Sequence, residues 1–213
     1  MGINKAGFNL IKIFLILSIA GYILSYWVEF FGRLSMFFVL ITIFLVYFFR
    51  DPNRKTEEND KAIYSPADGE VIEIKEVSEE KFLKAPAMVI KIFMTPLDVH
   101  VQRAPIKGRI EYLEYKKGKF MPANLDKASE ENEQNLIGIG NNNIKVLVIQ
   151  IAGLIARRIV WWVNLQQGVS QGERIGMIKL GSQVDIYVPM NIDVKVKVKE
   201  KVKAGLTVLG EIK

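Results

Sequence analysis

The first fifty residues hold two apolar runs without a single charge, Ile13–Val28 and Leu34–Phe49, parted by Glu29-Phe30-Phe31-Gly32-Arg33. Each run would span about 24 Å as an α-helix, against roughly 30 Å of membrane hydrocarbon. Lys12, Arg33 and Arg50 stand at the ends of the runs, where long side chains can reach the headgroups and bring both to spanning length. A short polar break containing Gly32 predicts a tight α-helical hairpin, residues 1–50, that anchors the chain in a bilayer. Lys5 and Lys12 precede the pair, and Arg50, Arg54 and Lys55 follow it. This places both ends, and all that follows, on the cytoplasmic side of the cell membrane. Two other geometries stay open. One is a signal peptide cleaved near Ser18-x-Ala20, which leaves the second run unexplained. The other is a hairpin that half-inserts rather than spans.

After the hairpin the character changes. Arg50-Asp51-Pro52-Asn53-Arg54 opens a charged linker, residues 51–62, in which proline and polar residues stop any helix. Residues 63–213, about 150 positions, suffice for one domain with a real core. Their hydrophobic pattern alternates. Strands are expected at Val71–Ile74, Met88–Phe93, Arg109–Leu113, Ile144–Ile151, Ile155–Val163, Arg174–Leu180, Gln183–Val188 and Ile192–Val198. Asn141-Asn142-Asn143 marks a turn between strands, and the polar stretch Ala123–Gln134 has room for a short helix. Val194–Lys199 alternates valine with lysine, the pattern of an edge strand protected by charge or of a basic face toward anionic headgroups. The fold class expected is mainly β, a barrel-like or hybrid-sandwich domain behind a helical membrane hairpin.

What the chain lacks narrows its chemistry. With no cysteine, disulfides, thiolate metal sites and thiol nucleophiles are excluded. With one histidine, His100, no multi-histidine metal centre can form, and imidazole proton transfer rests on that residue. No metal is expected. The net charge of +6 comes without a nucleic-acid motif, so an anionic membrane surface is the better partner and nucleic acid is not expected.

Three stretches could carry a site. Gly181-Ser182 interrupts two strand-like runs where a plain hairpin would favour Asn-Gly; by itself it reads as a simple turn. Ser65-Pro66-Ala67-Asp68-Gly69 reads as a turn too, although Asp68 could orient an imidazole. Asp98-Val99-His100-Val101-Gln102-Arg103-Ala104-Pro105 puts the single histidine between two valines, where an inert strand residue is the usual occupant.

Together with Phe49-Arg50-Asp51-Pro52, Asn132-Glu133, Ile151-Ala152-Gly153, Ala156-Arg157-Arg158-Ile159 and Gly172-Glu173-Arg174, these stretches resemble the short, membrane-anchored branch of the phosphatidylserine decarboxylase family. The resemblance runs from about Phe48 to the C-terminus and rests on the order and spacing of the motifs. It implies a proenzyme that cuts itself between Gly181 and Ser182. Ser182 attacks the carbonyl before it, and elimination and hydrolysis leave a pyruvoyl cofactor on the new chain end. The products would be a β chain, residues 1–181, and an α chain, residues 182–213, held as a heterodimer or a higher oligomer. His100 matches the family's base and Asp68 its orienting carboxylate, a triad-like set turned on its own backbone. The substrate implied is a serine phospholipid, phosphatidylserine or its ether-linked counterpart archaetidylserine, decarboxylated through a Schiff base to the ethanolamine lipid. Arg157 and Arg158 are candidates for its phosphate.

The chain departs from the family at Arg103, where a longer branch has a second histidine, so that His100 must serve both steps or share them with another group. Gln183 stands where arginine or threonine is common. The competing readings are a lipoyl/biotinyl-like carrier or a phosphotransfer module on a membrane anchor. The first needs an acceptor lysine in a tight hairpin, and none is evident; the second lacks the rest of the pattern.

Overall fold

The computed structural model describes residues 2–119, 121, 131–153, 158–179 and 182–213. The chain divides into two compact units, Met1–Asn53 and Arg54–Lys213.

In the first unit a short strand β1 (Gly2–Ile3) pairs with β2 (Arg50–Asp51), and a 3-10 turn at Lys5–Gly7 leads into helices α1 (Phe8–Leu24) and α2 (Glu29–Phe48). Both helices are long and apolar enough to cross a membrane. They pack antiparallel through small residues: Ser35 Oγ donates to Ser18 O at 2.7 Å, and a Cβ on Gly21 would meet Ser35 at 3.1 Å. The large apolar side chains point outward instead. The turn differs from the one expected. It falls at residues 25–28, where Val28 turns extended, and the polar break lies inside α2. Glu29 and Arg33 pair there at i,i+4, with the acid in the first turn where the helix dipole favours it. Gly32 is a helical residue facing Ser25, not a turn residue.

The second unit is built from short strands: β3 (Ala62–Tyr64), β4 (Gly69–Glu79), β5 (Ala85–Met94), β6 (Val101–Arg103), β7 (Gly108–Lys116), β8 (Gln134–Gly140) and β9 (Lys145–Ala152). These are followed by β10 (Ile159–Trp161), β11 (Gly168–Val169), β12 (Arg174–Ile178), β13 (Ser182–Pro189), β14 (Ile192–Val194), β15 (Lys201–Val202) and β16 (Val208–Ile212). An eight-stranded sheet runs β11-β7-β8-β9-β13-β5-β4-β15, joined by two three-stranded sheets, β10-β12-β6 and β14-β16-β3. The expected mainly β, barrel-like class with a helical hairpin is what the chain adopts.

Alternation decides the core. Val184, Ile186 and Val188 of β13, Ile90, Ile92 and Met94 of β5, Val146 and Val148 of β9, and Ile137 and Ile139 of β8 join one buried cluster. Their registers match: Val184 faces Ile92 and Gln150, and Ile186 faces Ile90 and Val148. Each such aliphatic side chain contributes about 1.5–3 kcal/mol by leaving water.

Several expectations shift. β8 was not anticipated, because Gly138 and Gly140 interrupt its apolar run; a Cβ on Gly138 would strike Tyr112 at 2.7 Å. Asn141–Asn143 does turn β8 into β9, with Asn141 Oδ1 accepting from the amides of Asn143 and Ile144. The Val-Lys alternation is strand only to Val194; Lys195 is tied to Asp193 and Glu211, and Lys199 takes a positive φ of 74°. The helix expected in Ala123–Gln134 falls largely outside the described residues, as do positions 155–157 of the expected strand Ile155–Val163.

Candidate active site

Ser182 opens β13 at one end of the eight-stranded sheet. Its backbone pairs with Met94, the last residue of β5, on one side and with Ala152, the last of β9, on the other. Glu70 pairs with Phe93, so the register brings Gly69 to the level of Met94. Gly69 must be glycine: its φ is +154°, and a Cβ would meet the Phe93 carbonyl at 2.2 Å. The starts of β4 and β13 and the ends of β5 and β9 therefore share one rim of the sheet. Neighbouring strands lie roughly 4.8 Å apart.

Asp68 sits on this rim just before β4. Two backbone bonds, Tyr64 N to Pro105 O at 3.0 Å and Arg103 N to Pro66 O at 2.9 Å, run the Ser65–Gly69 turn antiparallel to β6. These bonds hold the Ser65–Pro66 end of the turn against β6, the strand that begins one residue after His100. The carboxylate itself is engaged elsewhere. Arg54 donates to both its oxygens, at 2.5 and 2.7 Å, and the Ala204 amide donates to Oδ1 at 2.8 Å.

His100 is oriented by its own turn. Its Nδ1 lies 2.9 Å from the Asp98 carbonyl, which can only accept, so Nδ1 is the donor and in the neutral ring Nε2 is the basic nitrogen. Asp98 is fixed in turn by Thr95, whose amide and hydroxyl both donate to Oδ2. The Ile178 amide donates to the His100 carbonyl at 3.3 Å, which ties the histidine to β12, four positions before Ser182.

Ser182 and His100 have no solvent exposure at all. The Ser182 hydroxyl donates to the Met94 sulfur at 3.4 Å, a weak acceptor. Asn132, equally buried, clamps the neighbouring rim: its Nδ2 donates to the Ala152 carbonyl at 2.7 Å and to the Met121 carbonyl at 2.8 Å. The chemistry available here is that of a desolvated hydroxyl between β5 and β9 and a buried imidazole tied through its backbone to β12.

Of the two candidate phosphate ligands, Arg157 lies outside the described residues, as does Gly181. Arg158 is exposed, and its carbonyl accepts from the Lys179 amide at 3.2 Å. Burial and the charge of Arg158 push the Lys179 ammonium below the usual lysine range. Two cations therefore meet three positions before Ser182. A separate open cleft is lined by Arg54, Thr56, Arg103 and Arg174, with Arg103 donating to the Gly172 carbonyl at 2.9 Å. Among the described residues, no cluster of three or more histidine, aspartate or glutamate residues could hold a metal.

Sequence reasoning missed Arg54, Met94, Gln102 and Gln150. Arg54 was assigned to the linker. The glutamines left a signal, since each breaks the apolar alternation of a strand whose neighbours on that face are buried.

A family model, phosphatidylserine decarboxylase, matches residues 41–210. A phosphatidylserine decarboxylase proenzyme of Carboxydothermus hydrogenoformans is 45% identical over 199 residues, 93% of this chain and 91% of the relative. One from Syntrophus aciditrophicus is 48% identical over 170 residues, 79% of this chain and 80% of the relative. One from Pelagibacter ubique is 42% identical over 218 residues, 98% of this chain and 96% of the relative. Agreement over so much of both chains leads to one conclusion: the chain belongs to the phosphatidylserine decarboxylase family and is a carboxy-lyase.

Proposed function

We propose that this enzyme decarboxylates a serine phospholipid to the ethanolamine phospholipid, using a pyruvoyl group made from its own Ser182. The observation that carries this is a fully buried serine at the first position of a central strand, its hydroxyl held among the described residues by a thioether. A structural serine in such a place would cap or cross-link the backbone; this one is left able to react.

In the maturation step the Ser182 oxygen bonds to the Gly181 carbonyl carbon, and the Gly181–Ser182 C–N bond breaks. The hydroxyl proton ends on the freed nitrogen, with His100 Nε2 as the carrier. Loss of the Ser182 α-proton and cleavage of its Cβ–Oγ bond then release the Gly181 carboxylate. Water replaces the nitrogen, which leaves as ammonia. Asp68 is assigned the task of stabilising the cationic imidazole, its own charge position set by Arg54.

A pyruvoyl group fits the position. It is neutral and about the size of serine, and the Met94 sulfur and Ala152 backbone that flank Ser182 demand no charge. Once formed, the group supplies an electron-withdrawing carbonyl for decarboxylation. The chain's own residues do the rest: His100 returns a proton to the carbon that loses CO₂, and Arg158, with Lys179 and Arg157, offers positive charge to the phosphodiester. Both α1 and α2 would hold the unit at the bilayer, with the β unit on the cytoplasmic face.

Denaturing mass analysis of purified full-length protein tests this. The expected result is two pieces, residues 1–181 and 182–213, the smaller blocked at its N-terminus. A single intact chain that still decarboxylates serine lipids would sink the reading. Assays with matched ester-linked and ether-linked serine lipids separate phosphatidylserine from archaetidylserine as substrate.

A further inference from the structure

Three buried carboxamides form a chain that ends beside Ser182 and has no part in the steps above. Asn135 Nδ2 donates to Gln150 Oε1 at 2.7 Å, Gln150 Nε2 donates to Gln102 Oε1 at 2.8 Å, and Gln102 Nε2 donates to the Met94 sulfur at 3.7 Å. None of the three residues has any exposure. Met94 Sδ is also the acceptor for the Ser182 hydroxyl, so Gln102 Nε2 and Ser182 Oγ lie within about 7 Å of each other across one sulfur.

A core builds such a row at a cost, since each amide gives up water for at most a single partner at either end. The fold also makes room for it. A Cβ on Gly176 would lie 2.7 Å from Gln150 Nε2, so β12 is notched at the place where the amide passes. The row has a direction. At each link the N–H donates toward Ser182, and the acceptor at the far end, Asn135 Oδ1, is buried without a partner among the described residues. Inverting one amide would set like against like at its neighbour. Inverting all three would turn the Gln102 oxygen onto the sulfur, a repulsive contact. The donor end is thereby fixed at the site.

We propose that Gln102, aimed by Gln150 and Asn135, is a positioning residue for self-cleavage: it holds the Met94 thioether in the one arrangement that seats the Ser182 hydroxyl for attack. Methionine has three rotatable bonds and no directional preference of its own, so it needs such a restraint. Sulfur in place of a carbonyl or carboxylate keeps the hydroxyl oriented while holding its proton loosely enough for the base to take. The inference rests on the cleavage reading above.

The test is the rate at which freshly synthesised full-length chain splits, followed on denaturing gels for wild type, Gln102→Met, Gln102→Glu and Asn135→Leu. Gln102→Met keeps the volume and loses the donor; splitting should slow about 10- to 100-fold, the scale of a small misplacement of reacting groups. Gln102→Glu can donate to the sulfur only when protonated. Its rate relative to wild type should therefore climb as pH falls, while that of Gln102→Met stays level, a contrast that a purely structural role would not produce. Asn135→Leu, two links away, should slow splitting by less than Gln102→Met. Folded variants that split at the wild-type rate, or a Gln102→Glu ratio that is flat with pH, would overturn the inference. A wild-type chain that never splits would instead overturn the cleavage reading and is recognised before any variant is compared.

Discussion

Strand β13 buries polar groups on both of its faces, and the two faces treat them in opposite ways. On the core side Ser182 meets a thioether, and the nearby row of amides is neutral throughout. On the reverse side Gln183 and Asp185 sit among charges. Gln183 Nε2 donates to Asp185 Oδ1 at 2.6 Å, Asp185 lies opposite Lys91 in the ladder, and Lys91 bonds Glu73 at 2.6 Å. The Lys91 hydrogen bond, with one from Lys75, holds the Glu73 carboxyl below its usual range. Burial pushes the Asp185 carboxyl up to about 7, against the opposing pull of Gln183 and Lys91. Burial of polarity is therefore no mark of chemistry. The reverse face saturates its groups and fixes them; the core face leaves its hydroxyl weakly held and so able to change partners.

The comparison breaks most completely if Ser182→Ala still splits or still turns over. The expected outcome is one intact chain on a denaturing gel and no lipid decarboxylation. Next in size is His100→Ala, which removes the only imidazole. Turnover should fall roughly 100- to 10,000-fold, measured as CO₂ release, with slower splitting as well. Arg54→Leu probes a buried pair at the rim. Losing it leaves the Asp68 carboxylate, among the described residues, with the Ala204 amide alone, and denaturant unfolding should show a loss of about 3–5 kcal/mol.

The smallest effect sharpens the reverse face. Asp185 keeps a proton in the folded chain that the unfolded chain releases near pH 4. Between about pH 4 and 7 the native state thus binds more protons, so stability falls as pH rises through that window and levels off above 7. Asp185→Asn should remove that contribution. Subtracting its melting profile from that of wild type should leave a difference growing from pH 4 to 7, in the variant's favour, with splitting unaffected.

Much of the strand pattern was legible because alternation survives burial on one face: β5, β7, β9, β12 and β13 fall where period-two reading put them. What escaped depended on partners distant in sequence. β8 reads poorly because its glycines are demanded by Tyr112 and by Glu111, whose carboxylate lies against Gly140. The valine-lysine run looks like a strand but gives way to a turn at Lys199, whose amide bonds the Val71 carbonyl. The helix turn slid toward the N-terminus because an i,i+4 charge pair is at home inside a helix. The candidates Ser182, His100 and Asp68 come from the family motifs rather than from the pattern. Arg54 was hidden in what read as linker, and nothing local to Asp68 predicts a guanidinium arriving from fourteen positions upstream. The amide row needs the fold itself, since Gln102, Asn135 and Gln150 become neighbours only when β6, β8 and β9 assemble.

The position of β13 between β5 and β9 has a consequence for the life of the molecule. A break before Ser182 would leave a peptide of 32 residues laced into the sheet by ladders on both edges, with β16 bound again to β3. Such a fragment is retained by pairing alone, yet once melted out it would have to find its slot as a separate molecule at cellular dilution. Heating would thus act as a one-way door: the uncut Ser182→Ala chain should recover its fold on cooling, whereas the cut protein should not, and its working lifetime would be set by how slowly it opens.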